Sequence, residues 1–180
     1  KVADLQEETA TTDWVASVTA QAGHIDIAVL TVGGYTGGKL EETSFDAIEN
    51  QINLNFKTAY NVARPVFLQM KKRGEGRIFL VGSRPGLDMK NTGGTIAYGL
   101  SKSLIFRLSE ILNHEAKGTQ VVTTVIVPST IDTPQNRKAM TDADFSRWIN
   151  PSAFADIILF YSSQQAESLR EPILKIYNNA

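Results

Sequence analysis

The run Val121-Val-Thr-Thr-Val-Ile-Val127 leaves a chain few ways to fold. Its β-branched side chains favour extended backbone, and it has no polar alternate face, so both sides of the strand it forms must be covered. Three more apolar runs have strand length: Ile25-Asp-Ile-Ala-Val-Leu-Thr31, Arg77-Ile-Phe-Leu-Val81 and Pro172-Ile-Leu-Lys-Ile-Tyr177. Three of the four are nearly continuous in hydrophobicity, the pattern of a parallel sheet covered on both faces. Helical patterns alternate with them. Residues 9–22 carry Trp14, Val15 and Val18. From Ser44, a suitable cap, Phe45, Ile48, Ile52, Phe56, Ala59 and Val62 recur at steps of three and four, and Pro65 is expected to kink or divide that helix. Leu104, Ile105, Leu108, Ile111 and Leu112 mark another, ending near Gly118, and residues 152–163 a short one after Pro151. Strands alternating with helices of this length imply βαβ units with right-handed crossovers, hence an α/β doubly wound parallel sheet. No linker, repeat or low-complexity stretch interrupts residues 1–180, which read as a single domain.

Composition narrows the chemistry. There is no cysteine, so thiol nucleophiles and cysteine metal sites are out, and His24 and His114 lack metal-ligand spacing. No metal site is expected. A formal charge of −1 provides no field for nucleic acid or an anionic membrane, and no apolar run is long enough to span a bilayer. The reading is a cytoplasmic protein acting on a small molecule with hydroxyls, amines, amides or carboxylates and a borrowed cofactor.

In an open parallel sheet, ligands bind beyond the carboxyl ends of the strands. Three such ends here are Thr31-Val-Gly-Gly-Tyr-Thr-Gly-Gly38, Gly82-Ser83-Arg-Pro-Gly86 and Pro128-Ser-Thr-Ile-Asp-Thr-Pro134. Each is rich in glycine or hydroxyls, which suits close approach to a ligand and also suits an ordinary turn. Tyr98-Gly-Leu-Ser-Lys102 places a phenol and an ammonium four apart, on one helix face. A nearby cation favours the phenolate, so the pair is expected to bring the Tyr98 pKa below its reference near 10 and make it an acid or base at neutral pH. The alternative is a solvated helix face. Ser83 ends the preceding strand, where it can orient a substrate oxygen beside Tyr98. Asn55 is an amide within an apolar stripe, read either as a satisfied polar residue at a helix irregularity or as the holder of a water or carbonyl extending a proton path from Lys102.

The order strand, Ser83, Tyr98-x-x-x-Lys102, strand, Pro128-x-x-x-x-Thr133 resembles the short-chain dehydrogenase/reductases along the whole chain. The resemblance implies a Rossmann-like sheet and NAD or NADP as cofactor. Tyr98 is then the general acid/base, Lys102 lowers its pKa and binds the nicotinamide ribose, Ser83 polarises the substrate oxygen, and Asn55 takes the place of the family's helix asparagine. Cofactor contacts implied in the same way are Asp4 and Leu5 at the adenine, Thr31, Val32 and Gly33 after the first strand, Tyr98 and Lys102, and Pro128, Ser129, Ile131 and Thr133 after the third. The segment Leu30-Thr-Val-Gly33 keeps only the glycine of the family's Asn-Asn-Ala-Gly. A homodimer or homotetramer through helices 44–72 and 97–117 is also implied.

Gly33-Gly-Tyr-Thr-Gly-Gly38 and the long stretch from Asp132 to Trp148 are similar to the dihydropteridine reductase branch, although animal members lack the serine and the helix asparagine present here. Pterin reduction is therefore an alternative to carbonyl or alcohol chemistry, and a non-catalytic interaction module is a third reading. Residues 133–148 suit a lid over the site or a surface helix anchored by Phe145 and Trp148. Lys1-Val-Ala-Asp-Leu reads like the end of a strand, and the family's glycine-rich phosphate turn and first strands are expected upstream of Lys1.

Overall fold

The computed structural model describes residues 2–88, 90 and 93–178. Four strands form one parallel sheet in the order β1 (Ile27–Leu30), β2 (Glu75–Val81), β3 (Gln120–Pro128), β4 (Ile173–Ile176). Leu30 pairs with Leu80, Val81 with Ile126, and Pro128 with Ile176, so all four strands end on the same side of the sheet. α1 (Glu8–Ala22) precedes β1, α2 (Phe45–Ile52) and α3 (Thr58–Arg73) connect β1 to β2, and the single turn α4 (Arg84–Leu87) and α5 (Ile96–Glu115) connect β2 to β3. Late in the chain come α6 (Pro134–Ala139) and α7 (Pro151–Tyr161).

Burial follows the period-two pleat of the strands. On one face Ile78, Leu80, Val121, Val125 and Val127 pack with Val15 of α1, Ala63, Val66 and Met70 of α3, and Ile105 and Leu112 of α5. On the other pleat Phe79, Val122 and Ile126 are also buried. The doubly covered strand predicted from the 121–127 run is therefore β3, with β2 beside it. The first strand differs: among the described residues β1 pairs with β2 alone, and its Ile27 and Val29 are 44% and 40% exposed. Only its Ala28 and Leu30 side faces the helical layer.

Two expectations about backbone shape are corrected. Pro65 does not divide the helix; α3 runs through it to Arg73. The irregularity lies earlier, at Asn53–Lys57, where the helix widens into a π-turn between α2 and α3. The Lys1–Leu5 strand tail is not found either: Lys1 lies outside the described residues, and Val2 to Asp4 are in neither helix nor strand. Gly118, with φ of 82°, lies two residues beyond the α5 cap, in the turn leading to β3. At the start of β3 a side-chain amide replaces a strand neighbour. Asn113 of α5 accepts from the Thr123 N–H at 2.8 Å and donates to the Thr123 carbonyl at 2.7 Å. Backbone groups this deeply buried require such partners.

Candidate active site

Ser83 leaves β2 and caps α4: its Oγ accepts a hydrogen bond from the Gly86 N–H at 3.2 Å. Because α4 is one turn long, the chain returns at once against α5. That contact requires glycine. A Cβ on Gly86 would stand 2.7 Å from the backbone carbon of Lys102, and one on Gly99 would stand 3.1 Å from the Pro85 carbonyl. The close approach brings the buried Ser83 hydroxyl beside Tyr98, in the first turn of α5.

Lys102 follows one helical turn later and is only 5% exposed. Its Nζ donates to the carbonyl of Val81, the last residue of β2, at 2.8 Å. An ammonium has three N–H groups, so two remain without a protein acceptor among the described residues. Burial disfavours the charged form and pushes the Lys102 pKa down from 10.5 to about 8. The Tyr98–Lys102 pair is thus a buried arrangement, not a solvated helix face. The Tyr98 pKa, expected to be low, is raised. Burial of the phenol dominates, the Ser83 hydrogen bond opposes it, and the nearby Tyr35 phenol adds to it. Lys102, whose ammonium bonds the Val81 carbonyl, is not among the causes.

Asn55 lies in the π-turn, which aims it inward. Its Oδ1 accepts from the Gly34 N–H at 2.9 Å, and its Nδ2 lies 3.0 Å from the Gly34 carbonyl, 3.1 Å from Ser101 Oγ and 3.2 Å from Gln51 Oε1. The amide has two hydrogens for these three acceptors. Ser101 in turn donates to the Tyr98 carbonyl at 2.8 Å. The carbonyl that Asn55 holds is therefore Gly34's, and its link to α5 runs through Ser101. Gly33 separates Asn55 from Lys102: a Cβ there would sit 2.6 Å from Asn55 Oδ1 and 3.3 Å from Lys102 Nζ. Any larger residue would break the junction between the β1 loop and α5.

Thr31, Val32 and Gly33 follow β1 and are exposed at the strand ends. Pro128 closes β3, and Ser129 donates to the Tyr177 carbonyl at 3.0 Å. The Ile131 carbonyl accepts from the Asn136 amide at 2.8 Å, and Thr133 caps α6 through Asn136 N–H at 3.2 Å. Asp4 and Leu5 stand apart from these. Asp4 accepts from Gln6 N–H at 2.9 Å in the turn before α1, and Leu5 accepts from Asn61 through its carbonyl at 2.9 Å. The Leu5 side chain lines an apolar cavity of 300 Å³ with Trp14, Ala28 and Ala59. The 133–148 stretch is well anchored: Phe145 stacks on Trp148 at 4.7 Å, and Arg137 lies over Phe145 while gripping Asp132 with two hydrogen bonds. Gln51, Ser101 and Gly86 escaped the sequence reading as members of the site, although Ser101 and Gln51 each lie three or four residues from a residue it did identify.

The family model for short chain dehydrogenases matches residues 1–144. A dihydropteridine reductase of Dictyostelium discoideum is 29% identical over 153 residues, which is 83% of this chain and 64% of that protein. A cyclohexanol dehydrogenase of Rhodococcus sp. (strain TK6) is 23% identical over 188 residues, 97% of this chain and 69% of that protein. The chain thus spans about two thirds of the length of these relatives. Among solved structures, a Burkholderia xenovorans protein described as a short-chain dehydrogenase/reductase superposes with a TM-score of 0.88 at 20% identity, covering 99% of this chain and 72% of that one. ElxO with NADP bound superposes with a TM-score of 0.86 at 20% identity, covering 96% and 74%. No helix among the described residues is long and apolar enough to cross a membrane, and no group of side chains among them has the makings of a metal site.

The buried ammonium gives a direct prediction. Between pH 8 and 10.5 the unfolded chain holds more protons at residue 102 than the folded chain, so stability must rise with pH through that window. Denaturant unfolding of wild type and Lys102→Met at pH 7.5 and 10 should show the wild type improving relative to the variant; a constant difference contradicts the burial argument.

Proposed function

This chain belongs to the short-chain dehydrogenase family, and from that footing we propose that it forms the proton-handling part of an NAD- or NADP-dependent oxidoreductase acting on a carbonyl or alcohol. The observation that carries the proposal is the buried Lys102 ammonium, one helical turn from Tyr98, with two N–H groups that have no protein acceptor among the described residues. Those donors, bordered by the bare backbone of Gly33, fit a hydroxyl-rich group such as a ribose, so Lys102 and Gly33 are the residues that would hold the nicotinamide end. Thr31, Val32, Pro128, Ser129, Ile131 and Thr133, from the same end of the sheet, complete the proposed cradle; Asp4 and Leu5 are assigned to the adenine end. When bound, the nicotinamide supplies or accepts the hydride.

The residues of this chain manage the proton and the reacting oxygen. Ser83 donates to the substrate oxygen and holds it near Tyr98. Because burial raises the Tyr98 pKa, the phenol is protonated at neutral pH and can donate as a carbonyl is reduced. The bond broken is Tyr98 O–H and the bond formed is substrate O–H. Alcohol oxidation reverses the transfer. Asn55 is a positioning residue in this account: it fixes Gly34, and through Ser101 the backbone of Tyr98.

Pterin reduction is the second reading, favoured by the 29% identity to the Dictyostelium discoideum dihydropteridine reductase. The two readings part at Ser83, since a quinonoid ring can be reduced without a residue polarising a carbonyl. A third reading, a non-catalytic module, leaves the burial of Lys102 without purpose, because burying an amine costs stability.

Self-association through α3 and α5 belongs to the same proposal. Phe56, Tyr60, Leu68, Leu104 and Ile111 line an apolar groove of 530 Å³ between those helices, and Leu68 and Ile111 are more than half exposed. In sedimentation velocity the wild type should run as a dimer or tetramer and Ile111→Glu as a smaller species; a monomeric wild type contradicts this. For the chemistry, Tyr98→Phe should lower turnover of a ketone by at least about 10²-fold while leaving cofactor affinity nearly unchanged. Unchanged turnover contradicts the role of Tyr98, and turnover of a quinonoid dihydropterin that survives Ser83→Ala would transfer the assignment to pterin reduction.

A further inference from the structure

The β1 loop carries an aromatic ring that neither the core nor the proton chemistry uses. Tyr35 is 64% exposed, yet it is held in place. Gly34, on one side, is gripped through both backbone groups by Asn55. On the other side the Thr36 hydroxyl accepts from Gln51 at 3.3 Å, and Gly38 donates to the Gly94 carbonyl at 2.8 Å and bridges to Thr95 at the entry to α5. The Tyr35 hydroxyl lies over Gly37, where a Cβ would come within 3.0 Å of it. The ring of Tyr35 meets that of Tyr98 at a centroid distance of 5.0 Å and an angle of 78°. Two rings at a right angle make a corner, with one wall formed by the phenol that handles the proton.

Exposed aromatics on a pinned loop bind flat partners well, because little conformational freedom is lost on contact. We propose that Tyr35 is a specificity-determining platform on which a flat, unsaturated ring of the substrate lies while its reacting oxygen is presented to Tyr98. This deepens the carbonyl/alcohol reading and rests on Tyr98 handling the proton. It selects substrates with a planar ring next to the reacting carbon over saturated, puckered rings of the same size.

The matched ketones 2-tetralone and 2-decalone test this, since they share one carbon skeleton and differ in the flatness of the ring beside the ketone. Affinities are read by ligand-observed NMR on wild type, Tyr35→Leu and Tyr35→Phe, after melting curves establish that all three are folded. Wild type and Tyr35→Phe should prefer 2-tetralone, and Tyr35→Leu should lose about two- to tenfold of that preference, the range of an aromatic contact. No preference in wild type, or a preference that Tyr35→Leu retains, overturns the platform. Turnover of the same ketones with NADH and NADPH separates the two levels of the argument. Tyr35-dependent binding without turnover of either ketone would overturn hydride transfer and leave the platform standing. Turnover of both with no dependence on Tyr35 would do the reverse.

Discussion

The amide of Asn55 holds both backbone groups of Gly34, and the site is arranged around that clamp. An extended loop beyond the end of a strand has no ladder to satisfy its N–H and C=O, so its path is ordinarily loose. Here a side chain supplies both partners, as a neighbouring strand would. The clamp works because the helix widens into a π-turn at Asn53–Lys57, which turns the amide inward against Gly34 and Ser101. Breaking it would leave buried polar atoms unsatisfied, at about 1–3 kcal/mol for each such group. It would also release the loop that carries Gly33 to Lys102 and Tyr35 to Tyr98.

The same buried setting accounts for both unusual acidities. Burial disfavours whichever form is charged, so it lowers the pKa of the Lys102 ammonium and raises that of the Tyr98 phenol. The two shifts widen the gap between two groups that ordinarily titrate close together, and they leave each in its usual protonation state at pH 7. A protonated phenol beside a protonated amine suits donation to a carbonyl. The close packing of α4 on α5 maintains that burial, and it is possible only because positions 86 and 99 lack a Cβ.

Much of this was readable from residue order. The 121–127 run announced a doubly covered strand, and β3 is that strand. The Tyr98–Lys102 spacing put two functional groups on one helix face, and strand-end position indicated Ser83. What escaped depends on three-dimensional neighbours. Helical periodicity is nearly blind to a single π-turn, so the visible breaker, Pro65, suggests a break that the helix does not have there, whereas the irregularity lies at Asn53–Lys57. The direction of the Tyr98 shift could not be read from a lysine four residues away, because burial of the phenol, which depends on the tertiary packing, dominates it. Gly86 looked like turn chemistry, whereas its value lies in the distance to Lys102.

The central claim is that Lys102 and Gly33 sit at the nicotinamide end of a nucleotide site served by Tyr98. Thermal melting of the purified protein with saturating NADH and, separately, NADPH tests it most directly, because a ligand bound only by the folded state raises its melting temperature. The account predicts a clear increase with at least one of the two nucleotides and a much smaller one for Lys102→Ala. Equal melting of wild type with and without either nucleotide would contradict it.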